Sequence, residues 1–207
     1  MNPTERLTEL FTRFPGIGPK QAKRFVYFLL RADKNFKEDL IRTIELLKES
    51  GKQCIYCFRF FGEARKYDEE ICPICRDTSR DIKKILIVEK ELDVDAVEKT
   101  AKYDGLYFVL GGLLPLFVEK PTEHIRIREF TLYIQKKIRE KTIEEIIFAL
   151  PVSDTGDTTK EYVEKTTKQI VGIGDVVFSV LARGLSSGLE MEYVDRDTFS
   201  SAFDRRN

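Results

Sequence analysis

The segment "CIYCFRFFGEARKYDEEICPIC" (54–75) constrains this chain more than any other feature. It holds all four cysteines, Cys54, Cys57, Cys72 and Cys75, spaced C-x2-C-x14-C-x2-C. Each CxxC pair presents two thiolates on one tight turn, and four thiolates complete a tetrahedron around Zn2+. Two disulfides would need an oxidising compartment, and "MNPTERLTELFTRF" does not read as a secretory leader because charge falls in every turn. Neither pair opens a helix after a strand, as a redox CxxC does. A closed four-cysteine set leaves no position for water, so the expected zinc is structural, one ion per chain.

The hydrophobic rhythm changes on either side of this segment. Before it, Leu7, Leu10, Phe11 and Phe14 form one helical stripe, stopped by Pro15 and Gly16. A second helix from about Pro19 to Arg31 turns Ala22, Phe25, Val26 and Leu29 inward. A third, roughly Lys37 to Ser50, offers Leu40, Ile41, Ile44 and Leu47, with Gly51 as its stop. After the cysteines, strand patterns at 83–89, 106–112, 144–152 and 175–182 alternate with helical ones at 91–103, 127–141 and 158–170. That alternation predicts a parallel sheet with helices on its faces and functional loops past the carboxyl ends of the strands.

The longest apolar run, "LYFVLGGLLPLFV" (106–118), is too short and too broken by glycine and proline to span a bilayer. The expectation is a cytoplasmic protein with no membrane role. A formal net charge of zero hides an asymmetry: residues 1–53 carry 11 Lys/Arg against 7 Asp/Glu, and the rest 24 against 28. A basic end on a mildly acidic body suits a chain that touches nucleic acid with one end only.

Three acids follow strands: Glu89 after the first strand of the α/β part, Asp154 and Asp157 after the third. Two readings are open. Loops at one edge of a parallel sheet can converge, so the three carboxylates can share Mg2+. Alternatively Asp154 or Asp157 caps the helix that begins near Thr158. "GLSSG" (184–188) matches the nucleophile-elbow pattern, but the single histidine, His124, precedes Ser186 where a hydrolase needs it later. No phosphate-loop sequence is present.

The turn "FPGIGPKQAKRF" (14–25) carries the remaining signal. Gly16 and Gly18 let a phosphate approach backbone N–H groups, and the following helix adds the positive end of its dipole. Lys20, Lys23 and Arg24 fall at i, i+3 and i+4, on one face opposite the apolar stripe. Such a face grips a phosphate backbone without reading bases. A plain hairpin of two helices has the same outline.

A short helix, this turn and an amphipathic helix resemble a helix-hairpin-helix. With the cysteine pairs, "ILIVEKELDVDAVEKTAKYDGLYFVLGG" and the tail "GLSSGLEMEYVDRDTF", the order is similar to the RecR family of bacterial recombination proteins. The resemblance implies an α/β fold: a helix-hairpin-helix (1–53), a four-cysteine zinc finger (54–79), a Toprim-like parallel-sheet domain (80–182) and a C-terminal tail in subunit contacts (183–207). It implies a DNA clamp and not an enzyme, a homo-oligomeric ring of two to four chains. Such a clamp works with RecO- and RecF-type partners to load recombinase at gapped or single-stranded DNA. The family's DNA-contacting lysine and arginine match Lys20 and Arg24, its zinc cysteines the four here, and its partner-contacting acids Glu89 and Asp157. The departures fall at Thr155-Gly156-Asp157, at "LPLFVEKP" (114–121) and at "SSGLE" (186–190), on the sheet loops and the tail. The rival reading is a Mg2+-dependent Toprim nuclease or primase-like enzyme, for which the chain offers D-x-x-D where D-x-D is usual.

Overall fold

The first helices form where the periodicity puts them. A computed structural model describes residues 2–62, 70–170 and 172–181; the expected tail, with "GLSSG", lies outside these. Helix α1 (Pro3–Thr12) begins with a capping box, in which the Asn2 side chain accepts from the Thr4 N–H and Glu5 accepts from the Asn2 N–H. Helix α2 (Pro19–Arg31) has proline at its first position, where the missing N–H costs nothing. Helix α3 (Lys34–Ser50) is capped by Asp33, which accepts from the Phe36 N–H at 2.8 Å.

The chain divides into two compact units, one holding α1 to α3 and the other the described residues from Lys52 onward. In the first, α1 packs on α2, and among the described residues only Ala22 and Val26 are fully buried. Phe11 meets Phe14 and Phe25 edge-on, and Phe28 meets Phe36. The inward stripe expected on α3 does not close: Ile41, Ile44 and Leu47 are each more than half exposed. Amphipathic spacing declares which face is apolar, but burial needs a neighbouring surface that this unit does not supply to them.

The second unit opens with strands β1 (Lys52–Gln53) and β2 (Phe60–Phe61), an antiparallel pair around the first cysteine turn. The second turn leads into helix α4 (Pro73–Arg76). Then β3 (Asp81–Val88), helix α5 (Glu91–Thr100), β4 (Gly105–Val109), helix α6 (Ile127–Arg139), β5 (Glu145–Ala149), helix α7 (Asp154–Lys168) and β6 (Val177–Val180) follow. The four long strands form one parallel sheet in the order β4-β3-β5-β6, as the alternation predicts.

Successive strand residues point to opposite faces, and each face has its own core. Ile85, Ile87, Phe108, Ile146 and Phe148 pack with Phe130 and Ile134 of α6 and Val163 of α7. Leu86, Val88, Tyr107 and Val109 pack with Val94 of α5 and with Cys54, Cys57, Cys72 and Ile74. The cysteine segment is therefore part of the sheet's core. It also closes the sheet at β4, where the Val109 N–H donates to the Cys57 carbonyl at 2.9 Å.

Candidate metal centre and nucleic-acid turn

The two cysteine turns meet although a fourteen-residue insert separates them. Cys57 and Cys72 Sγ lie 3.6 Å apart, and the Cys72 N–H donates to Cys54 Sγ at 3.4 Å. All four Sγ atoms fall within 4.8 Å of one another, with only Cys75 less than fully buried. Crowding splits the thiols. Hydrogen bonds from Cys57, Cys72 and Cys75 pull Cys54 far below the ordinary thiol range, while the same kind of neighbours push Cys75 far above it. A divalent cation resolves that conflict by taking all four as thiolates, so the donor set fits a closed tetrahedral metal site.

The first turn contains a feature without a sequence signal. Phe58 adopts a left-handed backbone, φ 62°, although it is not glycine. Its N–H donates to the Cys54 carbonyl and its own carbonyl accepts from Gln53 Nε2 at 3.0 Å. Its ring packs 5.4 Å from that of Phe108 and 5.8 Å from the Arg126 guanidinium. Arg126 Nη1 in turn donates to the Val109 carbonyl. At Gly111, φ 86°, a Cβ would stand 2.7 Å from that guanidinium, which explains one glycine of "VLGG" by both strain and space.

The second candidate site lies in the helical unit. Between α1 and α2 the chain turns through Gly16, φ 75°, a conformation that favours glycine. Gly18 is the N-cap of α2 and brings no side chain to the helix N–H groups, whereas Asn2 and Asp33 cap α1 and α3. A Cβ at either glycine would meet nothing within 4 Å, so the turn is open to an approaching group. Lys20, Lys23 and Arg24 are exposed on the first two turns of α2. Among the described residues none has a carboxylate within 4 Å, and Arg24 reaches only Gln21 Oε1 at 3.5 Å. The turn is an open stretch of backbone beside three cations that no acid among the described residues engages.

The acids do not assemble as the Mg2+ reading required. Among the described residues the four cysteines are the one group of three or more potential ligands within 4.8 Å, so Glu89, Asp154 and Asp157 do not share an ion at that spacing. Glu89 follows β3 beside Lys90. The capping alternative needs correction too: α7 starts at Asp154, and its cap is Ser153, whose Oγ accepts from the Gly156 N–H at 3.1 Å. Both aspartates sit in the first turn, where their charge suits the helix dipole. Asp157 alone lines a cleft of about 270 Å3 at the carboxyl ends of β5 and β6, with Pro151, Lys160 and Leu181.

Fold and site together define a Toprim protein with an N-terminal helix-hairpin-helix and a four-thiol centre welded to its sheet. Residues 4–47 match the family model described as RecR, helix-hairpin-helix, and residues 83–179 that of the Toprim domain. The chain is similar to Recombination protein RecR of Herpetosiphon aurantiacus, 35% identical over 204 residues, covering 99% of this chain and 93% of the relative. It is also 35% identical over 204 residues to that of Paenarthrobacter aurescens, covering 98% and 96%. The figure for Chloroflexus aggregans is 36% over 204 residues, covering 99% and 93%. The chain belongs to the RecR family of recombination proteins. These relatives are named as recombination proteins and not as nucleases or primases. Among the described residues no helix is long and apolar enough to cross a membrane.

Proposed function

We propose that the protein is a non-catalytic DNA clamp of recombinational repair in the cytoplasm. It holds gapped or single-stranded DNA through the turn at Gly16 and Gly18 and through Lys20, Lys23 and Arg24, without regard to sequence. The observation that carries this reading is the open, side-chain-free start of α2 beside three exposed cations that no acid neutralises. The metal is zinc: four thiolates satisfy its tetrahedral preference, and its part is to fix the two cysteine turns against the sheet. A cytosolic reducing poise leaves the thiols available for it.

The clamp is a homo-oligomer of two to four chains. In support, α1, α2 and α3 line an apolar groove of about 880 Å3, including Leu7, Leu10, Phe14, Leu30, Ile41 and Ile44. So large an apolar surface calls for a partner, and a second copy of the same unit supplies matching chemistry. Several copies of Lys20, Lys23 and Arg24 then line one lumen. RecO- and RecF-type proteins meet the assembly through the sheet loops carrying Glu89, Asp154 and Asp157, and recombinase is loaded at the gap.

Binding is read by fluorescence anisotropy on a labelled gapped duplex in Mg2+ across a salt series. Lys20→Ala with Arg24→Ala is expected to weaken binding by about tenfold and to flatten the salt slope by about 1.8, two lost phosphate contacts on duplex. Zinc content stays unchanged. Wild-type binding by the folded double variant refutes the assignment, and cut or extended DNA restores the enzyme reading.

A further inference from the structure

The second unit carries a cationic, aromatic cleft that the clamp reading does not use. It lies where the carboxyl end of α6 meets the cysteine turns, encloses about 260 Å3 and is lined by Tyr56, Ile82, Leu106, Tyr133, Lys136 and Lys137, with Cys75 and Glu140. Lys136 Nζ stands 4.9 Å from the centre of the Tyr56 ring, and Lys137 Nζ 5.7 Å from that of Tyr133. The tyrosine faces hold both ammonium groups in place and remove part of the entropy that a free lysine loses on binding.

Two groups in this cleft are free to meet a ligand. Tyr133 is 8% exposed; among the described residues its hydroxyl makes no hydrogen bond, and it is not sealed from solvent, so it opens to the cleft. Lys137 is half-buried and among the described residues has no carboxylate within 4 Å, although Glu140 and Cys75 act on it from further off, whereas Lys136 has Glu140 at 3.9 Å. An anion entering the cleft gives the ammonium a counter-charge and the phenol an acceptor. Basicity at the last turn of a helix suits its dipole, but that alone does not bring the lysines over rings of a distant segment.

We propose that this cleft binds single-stranded DNA, with a phosphate oxygen taken by Lys136, Lys137 and the Tyr133 hydroxyl, and a base or sugar laid against Tyr56 and Ile82. The proposal rests on the reading that the protein handles DNA, but uses none of the residues of the N-terminal turn. A single strand fits because its bases are free to meet an aromatic wall, and in a duplex they are stacked away.

The test uses the full chain and a labelled oligothymidylate, with anisotropy followed across a salt series. Lys136→Gln with Lys137→Gln is expected to lower affinity by about tenfold and flatten the salt slope by about 0.7, one phosphate contact on a single strand. Tyr56→Leu lowers affinity and leaves the slope unchanged, and Tyr56→Phe restores it. Zinc content and circular dichroism remain those of the parent. An unchanged slope in the double lysine variant overturns the proposal, as does loss of zinc with an unchanged slope, which assigns the lysines to balancing thiolate charge. The variant at Lys20 and Arg24, run on the gapped duplex, separates the two readings. If it alone weakens binding, the cleft proposal fails and the clamp stands; if only the α6 variant weakens binding, the reverse holds.

Discussion

The two units of this chain treat their apolar residues in opposite ways. The α/β unit seals both faces of its sheet, one with α6 and α7 and the other with α5 and the cysteine turns. The helical unit buries little beyond Ala22 and Val26 and leaves Phe14, Phe28, Leu30, Ile41 and Ile44 more than half exposed. Neither unit is poorer in apolar patterning; the difference is what stands opposite it. A sheet recruits cover from its own crossovers, whereas three short helices in sequence have no fourth layer. The contrast teaches that the α/β unit is completed from within the chain, whereas the helical unit keeps an apolar face that nothing in the described chain covers.

The largest effect expected from breaking that contrast is at the metal. Cys57→Ser removes a ligand and leaves three thiols crowded without a cation, so zinc is lost and the melting temperature of the α/β unit falls by on the order of 10 °C. Atomic absorption and calorimetry check this, and a transition assigned to the helical unit stays in place. Equal loss in both units would mean that they are not separate.

A smaller effect separates the two cores. Phe108 touches Phe58, Phe130 and Tyr133 and is fully buried, so Phe108→Ala costs about 3–5 kcal/mol in urea unfolding. Ile44→Asp, on the exposed face of α3, costs under about 1 kcal/mol yet lowers the assembled mass in sedimentation. A large stability loss at Ile44 with unchanged mass would place that residue in a core and remove the groove's role.

The finest test lies within the turn. Gly16→Ala meets no atom but must hold a left-handed backbone, at a cost of about 1–2 kcal/mol. Gly18→Ala, at φ −82°, costs about 0.5–1 kcal/mol as a poorer N-cap while placing a methyl where the phosphate is proposed to approach. Denaturation paired with the gapped-duplex titration reads both; DNA binding untouched by Gly18→Ala would move the phosphate elsewhere.

Much of this was legible from short stretches. The bounds of α2 follow from Pro19, the apolar stripe and the loss of pattern after Arg31, and the structure starts and ends it there. Cysteine spacing announced that the four thiols would meet because each CxxC makes its own turn, and strand–helix alternation announced a parallel sheet. The start of α7 was misread because two aspartates at Asp154 and Asp157 masked the simpler cap, Ser153. Both residue types cap helices, and only the hydrogen bond to Gly156 chooses between them.

The sequence by itself determined what depends on the backbone and on neighbours within a few residues: the start of α2 at Pro19, the apolar stripes of the first helices, and which four thiols form pairs. Tertiary structure alone decided that the cysteine turns close the sheet at β4, and that Ile41 and Ile44 find no cover. It also kept Glu89 from joining Asp154 and Asp157, and brought Lys136 and Lys137 over Tyr56 and Tyr133. The physical reason is that a residue type and its spacing set its local geometry, but burial and convergence are properties of the atoms opposite, which come from segments far along the chain.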